Sequence, residues 1–411
     1  MNIAPYRLVL NLPGLKALMV IGFLARIPAT AAGMVTTLHV ITALHLDYAA
    51  AGVAGALGMF GVGVGSPLLG RLVDRLGARP IMIVTSLAQG VYWLVAPELS
   101  YPWLVACAFV SGVLTIPIFS IMRQFVAALT PVDQRRTAFA LDSMAVELAY
   151  MLGPALAVAA VTSINSRIAM YFVGAGLVAA GISLILLNPP IRSEAEAAAD
   201  SGAAAPRRRW ITPGMVALLG ITAATTFILS ATELSVVAVL NNGGATEFTG
   251  LVIGLWCLYS LAGGFVYGAM HRTVSPLTLI AGLGVLTVPI GLLAGAPWWW
   301  LIFALIPTGL LCAPSLASTV DTVSKWVPAG ARGEAMGLHG AALTTGIAAG
   351  APVAGAIIDA FGPGWGFATA GTCGALLVAL ALPFWRVTPQ PAATVEEISA
   401  QELPVPAPAS R

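Results

Sequence analysis

A succession of apolar stretches, each long enough to cross a bilayer, constrains this chain more than any other feature. A spanning helix needs about 20 mostly apolar residues. Runs near that length recur at 14–41, 48–70, 79–96, 102–127, 137–161, 167–187, 213–240, 248–270, 276–293, 298–323, 333–361 and 365–385. Twelve membrane helices are therefore expected. Only 9% of the 411 residues are Asp, Glu, Lys or Arg, against roughly 25% in a soluble domain, so the chain is not built for water. A membrane β-barrel alternates apolar with polar residues, and stretches such as 177–187 and 376–384 do not. The expected class is an all-α membrane protein.

Between the sixth and seventh runs the sequence changes character. Residues 188–212 carry Arg192, Glu194, Glu196, Asp200 and Arg207-Arg208-Arg209 among alanines and prolines, and such a segment neither sits in hydrocarbon nor builds a core. The chain thus divides into a six-helix unit over 1–187, a linker over 188–212, a second six-helix unit over 213–385 and a disordered tail over 386–411. Basic residues resist translocation and accumulate in cytoplasmic loops. Of 19 Lys and Arg, Arg26 lies within a span and Arg167 on the face away from the termini, which leaves 17 on the side of both termini. That side is expected to be the cytoplasm, and the membrane the inner cell membrane. The apolar run behind Arg7 and Lys16 outlasts a signal-peptide core and reads as the first span.

The two units repeat. A shift of 197 places Gly112 on Gly309, Pro117 on Pro314, Pro131 on Pro328, Arg135 on Arg332 and Gly153 on Gly350, so spans four and five recur as spans ten and eleven. A shift of 200 lays Pro13-Gly14 on Pro213-Gly214 and Leu18 on Leu218. Repeated halves are common in transporter folds, and two pseudo-symmetric six-helix bundles follow.

One loop carries a signature. Between spans two and three the chain reads Gly70-Arg71-Leu72-Val73-Asp74-Arg75-Leu76-Gly77-Ala78-Arg79-Pro80. This resembles the G-x-x-x-D-R-x-G-R-R motif of the major facilitator superfamily through Gly70, Asp74, Arg75, Gly77 and Arg79, with Ala78 at a commonly basic position. Physically, Gly70 permits close helix approach, Gly77 a tight loop, and Asp74 an anion held at a helix N-terminus. The resemblance implies that Asp74 bridges to the start of span eleven near Gly333 and helps close an inner gate. The equivalent Gly268-Ala269-Met270-His271-Arg272 keeps the glycine without the aspartate, so an asymmetric gate is expected.

Small residues recur every fourth position in span five, around Gly153-Pro154, and in span eleven at Gly346 and Gly350, with Gly355 five residues further on. They make smooth faces on which helices cross closely. The span-five pattern resembles that of the drug:proton antiporters, the exporter branch of the superfamily, although the paired glycines that follow it there are missing.

Ionisable side chains inside spans cost roughly 2.5–3.5 kcal/mol each on insertion scales and are functional candidates by default. Arg26 falls near the middle of span one, with Thr30 and Thr37 on its face. Span seven aligns Thr222, Thr226, Ser230 and Glu233. Both faces are expected to border a substrate cavity, or else to bond back to their own helices. Span five presents Ser143, Glu147 and Tyr150 together. Desolvation favours the proton on a mid-membrane carboxyl while a nearby cation favours its loss, which suits Glu147 to proton coupling, with Arg26 as its partner and Glu233 as the second candidate. Arg123 with Asp142, and Asp321 with His339, are expected as gate or bundle-clamping pairs, and His339 keeps a proton role open.

The expected activity is secondary transport by alternating access, as proton-coupled efflux of a small organic molecule. Proton-coupled uptake and a non-transporting receptor are the alternatives. No GxxxxGK[ST] phosphate-binding sequence occurs. The four cysteines lie in apolar runs without metal-ligand spacing, and a net charge of +2 offers no nucleic-acid surface. No enzyme activity, metal or cofactor is expected, and the partners are substrate, protons and lipid around a monomer.

Overall fold

The computed structural model describes residues 4–193, 207–270 and 274–385. Most of the linker, the His271-Arg272 step and the tail from 386 lie outside them. Among the described residues twelve helices are long and apolar enough to cross a membrane, and there is no strand. In order the spans are Leu15–Thr42, Ala50–Leu76, Ala78–Glu98, Tyr101–Leu129, Arg135–Ser163, Ser166–Leu187, Pro213–Asn242, Thr246–Ala269, Pro276–Leu293, Trp300–Trp326, Ala329–Phe361 and Pro363–Trp385. A short helix, Ala4–Leu10, precedes the first. The protein is an integral, multi-pass membrane protein.

Packing reproduces the repeat seen in the sequence. Span one lies against five and six, two against four, and three against six. In the second half seven lies against eleven and twelve, eight against ten, and nine against twelve. Across the halves, span two packs on eleven and span five on eight, which are exchanged by the same symmetry. Small residues set these crossings. A Cβ on Gly153 would meet Ile27 and Thr30, and one on Gly350 would meet Phe227 and Ser230. Those neighbours are themselves 200 apart, so the sequence shift has a direct counterpart in space.

Symmetry fails at one place that matters. Span four breaks at 114–117, because Pro117 lacks an N–H and disfavours helix at the residue before it. Its mate Pro314 stays inside a continuous span ten. Gln89 of span three donates its amide to the Ser111 carbonyl at 2.9 Å and the Leu114 carbonyl at 3.3 Å, so acceptors freed by the break do not go unmet. Beyond it the chain restarts as Ile118–Leu129 and carries Phe119 and Arg123.

Candidate functional site

Contacts between the halves gather towards the end of the bundle that carries the 70–80 loop, here called the gate end. Gly77 turns the chain there at φ 85°, a conformation open to glycine and strained for other residues. This turn places Asp74 over the first turn of span eleven. Its carboxylate accepts from the backbone N–H of Gly333 at 2.8 Å and of Glu334 at 2.7 Å, donors that have no partner within their own helix. The approach requires bare backbone on both sides, since a Cβ on Gly70 or on Gly333 would run into the other's main chain. Arg75 and Arg79 are exposed.

A second acid sits beside this contact. Glu334 is buried and accepts from Arg207 Nε at 2.5 Å and from its Nη2, with Arg71 4.0 Å away. Arg207 closes the linker, and Arg192, which opens it, donates to the Asp74 carbonyl at 3.5 Å. Both ends of the linker thus dock on the gate. On the other interface Thr137 of span five donates to the Gly268 carbonyl at 2.8 Å. Tyr6 of the short first helix stacks on Phe265 at 4.7 Å and donates to that residue's carbonyl. Burial pushes the Tyr6 phenol up to about 12, so it keeps its donor proton at physiological pH.

Deeper in, the pairing differs from the sequence expectation. Arg26 reaches Asp142, Nη2 to Oδ1 at 2.6 Å, and not Glu147. Asp142 and Glu147 stand five residues apart on span five, and only the face carrying Asp142 turns towards span one. Arg123 lies loosely against Asp142, at 4.0 Å, and makes its close contact across the halves with His339 Nδ1 at 2.9 Å. His339 Nε2 meets Thr319 Oγ1 at 2.9 Å, while Asp321 takes Lys325 one turn on, at 2.7 Å. The expected Asp321–His339 pair does not form. Arg26, Asp142, Arg123 and His339 instead build one buried polar chain through spans one, five, four and eleven. Its symmetry is incomplete, because the shifts place Thr226 and His339 where the first half has Arg26 and Asp142.

Glu147 faces span eight. Its Oε1 accepts from the Ser260 hydroxyl, which also accepts from the Ala313 N–H at 3.0 Å, and its Oε2 is buried without a partner. Glu233 is exposed, and both carboxyls lie within electrostatic reach of Cys257. Among the hydroxyls, Thr30 donates to the Ala149 carbonyl of span five at 2.8 Å, Thr226 to Leu343 of span eleven at 2.8 Å and Ser230 to Ile347 at 3.3 Å. These groups fasten helix crossings. Thr222 bonds back to Leu218, and Thr37 is half-buried. Tyr150 is 51% exposed and stacks on Phe119, whose ring lies 5.6 Å from the Arg26 guanidinium.

Sequence reading named Asp74, Arg26, Arg123, Asp142 and His339 as candidates, and the structure places them in these contacts; it did not single out Tyr6, Arg192, Arg207, Ser260 or Glu334. Tyr6 sits in a short, weakly patterned segment, and the two arginines lie in a charged linker whose composition marks it as solvated without naming a partner. Ser260 is one hydroxyl in an otherwise apolar span.

Twelve spans in two repeated halves, tied together at one end, define a polytopic transporter. The family model of the Major Facilitator Superfamily matches residues 18–293 and again 216–408, and the chain belongs to that superfamily. Among solved structures it is similar to the human organic anion transporter MFSD10 (TETRAN), with 17% identity and a TM-score of 0.69 over 90% of this chain and 100% of that one. It is also similar to the proton:xylose symporter XylE bound to 6-bromo-6-deoxy-D-glucose, with 15% identity and a TM-score of 0.71 over 94% and 98%. A bacterial homologue of the iron transporter ferroportin in its outward-facing state shares 14% identity, with a TM-score of 0.70 over 91% and 99%. At these identities the likeness is one of fold. No curated protein matches the sequence.

Proposed function

We propose that this membrane transporter is a proton-coupled exporter of a small organic molecule, that it works by alternating access, and that Glu147 carries the proton. The carrying observation is the place of Glu147. It lies near the middle of the 29-residue span five, and its one hydrogen bond crosses to Ser260 in the other half. Opening the gate end must part those spans. Stripping an ionised carboxylate of its donor in a low-dielectric interior is strongly unfavourable, whereas a neutral carboxylic acid tolerates the loss. Protonation therefore eases the switch, and a proton taken up while the gate end is closed is released once it opens.

With the gate end on the cytoplasmic side, this sequence moves protons inward and substrate outward. The Gly153-Pro154 pattern supports export over uptake. Fold likeness does not choose the cargo, since the similar structures are titled for an organic anion, a sugar and iron.

In proteoliposomes Glu147→Gln is expected to abolish gradient-driven net transport while substrate exchange continues, because exchange does not require the proton site to empty. Driven transport equal to wild type would remove Glu147 from the role and pass it to Glu233 or His339.

A further inference from the structure

We propose that Arg26 and Arg123 anchor a negatively charged group of the transported substrate, so that the cargo is an amphipathic organic anion; this deepens the reading above and rests on it for the act of transport.

Charge count is the first ground. Arg26 is wholly buried and Arg123 is 5% exposed, yet the two guanidinium groups share the single carboxylate of Asp142. The third polar neighbour, His339, presents Nδ1 to Arg123. As an acceptor there it is neutral and supplies no negative charge. Glu147 faces span eight and bonds Ser260, outside the cluster. The cluster therefore holds one positive charge more than it pairs. Buried charges are ordinarily matched one to one, and a surplus cation kept in the interior marks a place where an anion is welcome.

Donor geometry is the second ground. A guanidinium offers five N–H donors. Arg26 uses Nη2 on Asp142, while its Nε and Nη1 are buried and, among the described residues, unbonded, as is Arg123 Nε. Carboxylate, sulfonate and phosphate accept such planar pairs of donors in bidentate fashion. A cationic substrate would meet repulsion here, and a neutral one would leave the surplus standing.

Access is the third ground. Phe119 covers the Arg26 guanidinium at 5.6 Å and stacks on Tyr150, which is half exposed. The break at 114–117 puts Phe119 at the start of its own short helix. The aromatic pair therefore stands between the guanidinium and the half-exposed side of the cluster, where a substrate anion meets it first. Rotation of the two rings uncovers the guanidinium and lays an apolar body against them, while the head group replaces the cation–ring contact. The same cluster reaches span eleven through His339, so an anion bound there bears on the contact between halves.

The test is equilibrium binding to the purified full-length protein at fixed pH, without a proton gradient, using 2-naphthylacetate, 2-naphthylacetamide and 2-naphthylethylammonium, together with a panel of aryl sulfonates and phosphates. Thermal stabilisation and tryptophan quenching are the readouts. Anionic probes are expected to bind and the amide and ammonium not to. Arg123→Gln should weaken anion binding by about ten- to a hundredfold, the range of a lost charged hydrogen bond. Arg26→Gln alone strands Asp142 and is apt to misfold, so Arg26→Gln with Asp142→Asn tests the same point without a buried orphan charge. It should fold and lose the anion preference. Equal or tighter binding of the ammonium or amide probe overturns the proposal, as does failure of every anionic probe. Anion binding without proton-driven transport would instead sink the coupling reading and leave this one standing.

Discussion

Under the proposed alternating access, one side chain, Asp74, bears on the whole cycle. Its two oxygens satisfy the N–H groups of Gly333 and Glu334, and the carboxylate also complements the positive end of span eleven. Asp74→Asn keeps the volume, removes the charge and points an amide donor at two donors. The closed gate should lose about 1–3 kcal/mol, with folding and insertion unaffected and transport slowed. Accessibility of a cysteine placed behind the gate checks this, and wild-type closure would free Asp74 from the assignment. At this scale the sequence was legible where a motif names both partners, as for Asp74 and the start of span eleven. It was not legible where depth alone suggested partners. Arg26 and Glu147 lie near the middle of their spans and Asp142 nearer the start of span five, but the rotation of span five decides which carboxylate meets Arg26. A five-residue separation on a helix turns those two side chains well apart.

At the scale of helices, apolar runs fixed the existence of every span, because a bilayer demands about 20 apolar residues in a row and that demand is one-dimensional. Crossings are a matter of small residues, and they too could be anticipated. A Cβ on Gly350 would stand 2.7 Å from the Phe227 carbonyl oxygen and 3.0 Å from Ser230 Cβ. The first neighbour is backbone, so the whole helix must move. Gly350→Ala should destabilise the protein by about 1–3 kcal/mol as overpacking. Gly220→Ala is the control, since nothing lies within 4 Å of its added methyl and the change gains helix propensity, up to about 1 kcal/mol. Thermal unfolding in detergent should separate the two in opposite directions, and equal losses would refute the packing account. The break in span four was not legible. Pro117 and Pro314 are equivalent in the repeat, and only Gln89, reaching over from span three, gives the first a way to meet its freed carbonyls.

For the molecule as a whole, the proposed alternating access requires two arrangements of one sequence, and no residue pattern says which one is populated. The structure holds its gate end shut through contacts from three directions: Asp74 on span eleven, Tyr6 on span eight, and the linker arginines 192 and 207 around both. Which compartment that end faces rests on charge. The span pattern assigns 17 of 19 basic residues to the side of both termini, and on that assignment insertion the other way would carry nearly all of them across the membrane. On that count we propose that the gate end is cytoplasmic, so that a proton reaching Glu147 from the opposite side does so down its gradient. Ser201, which lies outside the described residues, belongs to the linker between two spans that both end at the gate. In a background without native cysteines, Ser201→Cys should react with an impermeant thiol reagent only after the cytoplasmic face is exposed. Labelling in intact cells would invert the molecule: the closed end would face outward, and the proton step argued for export would run as uptake.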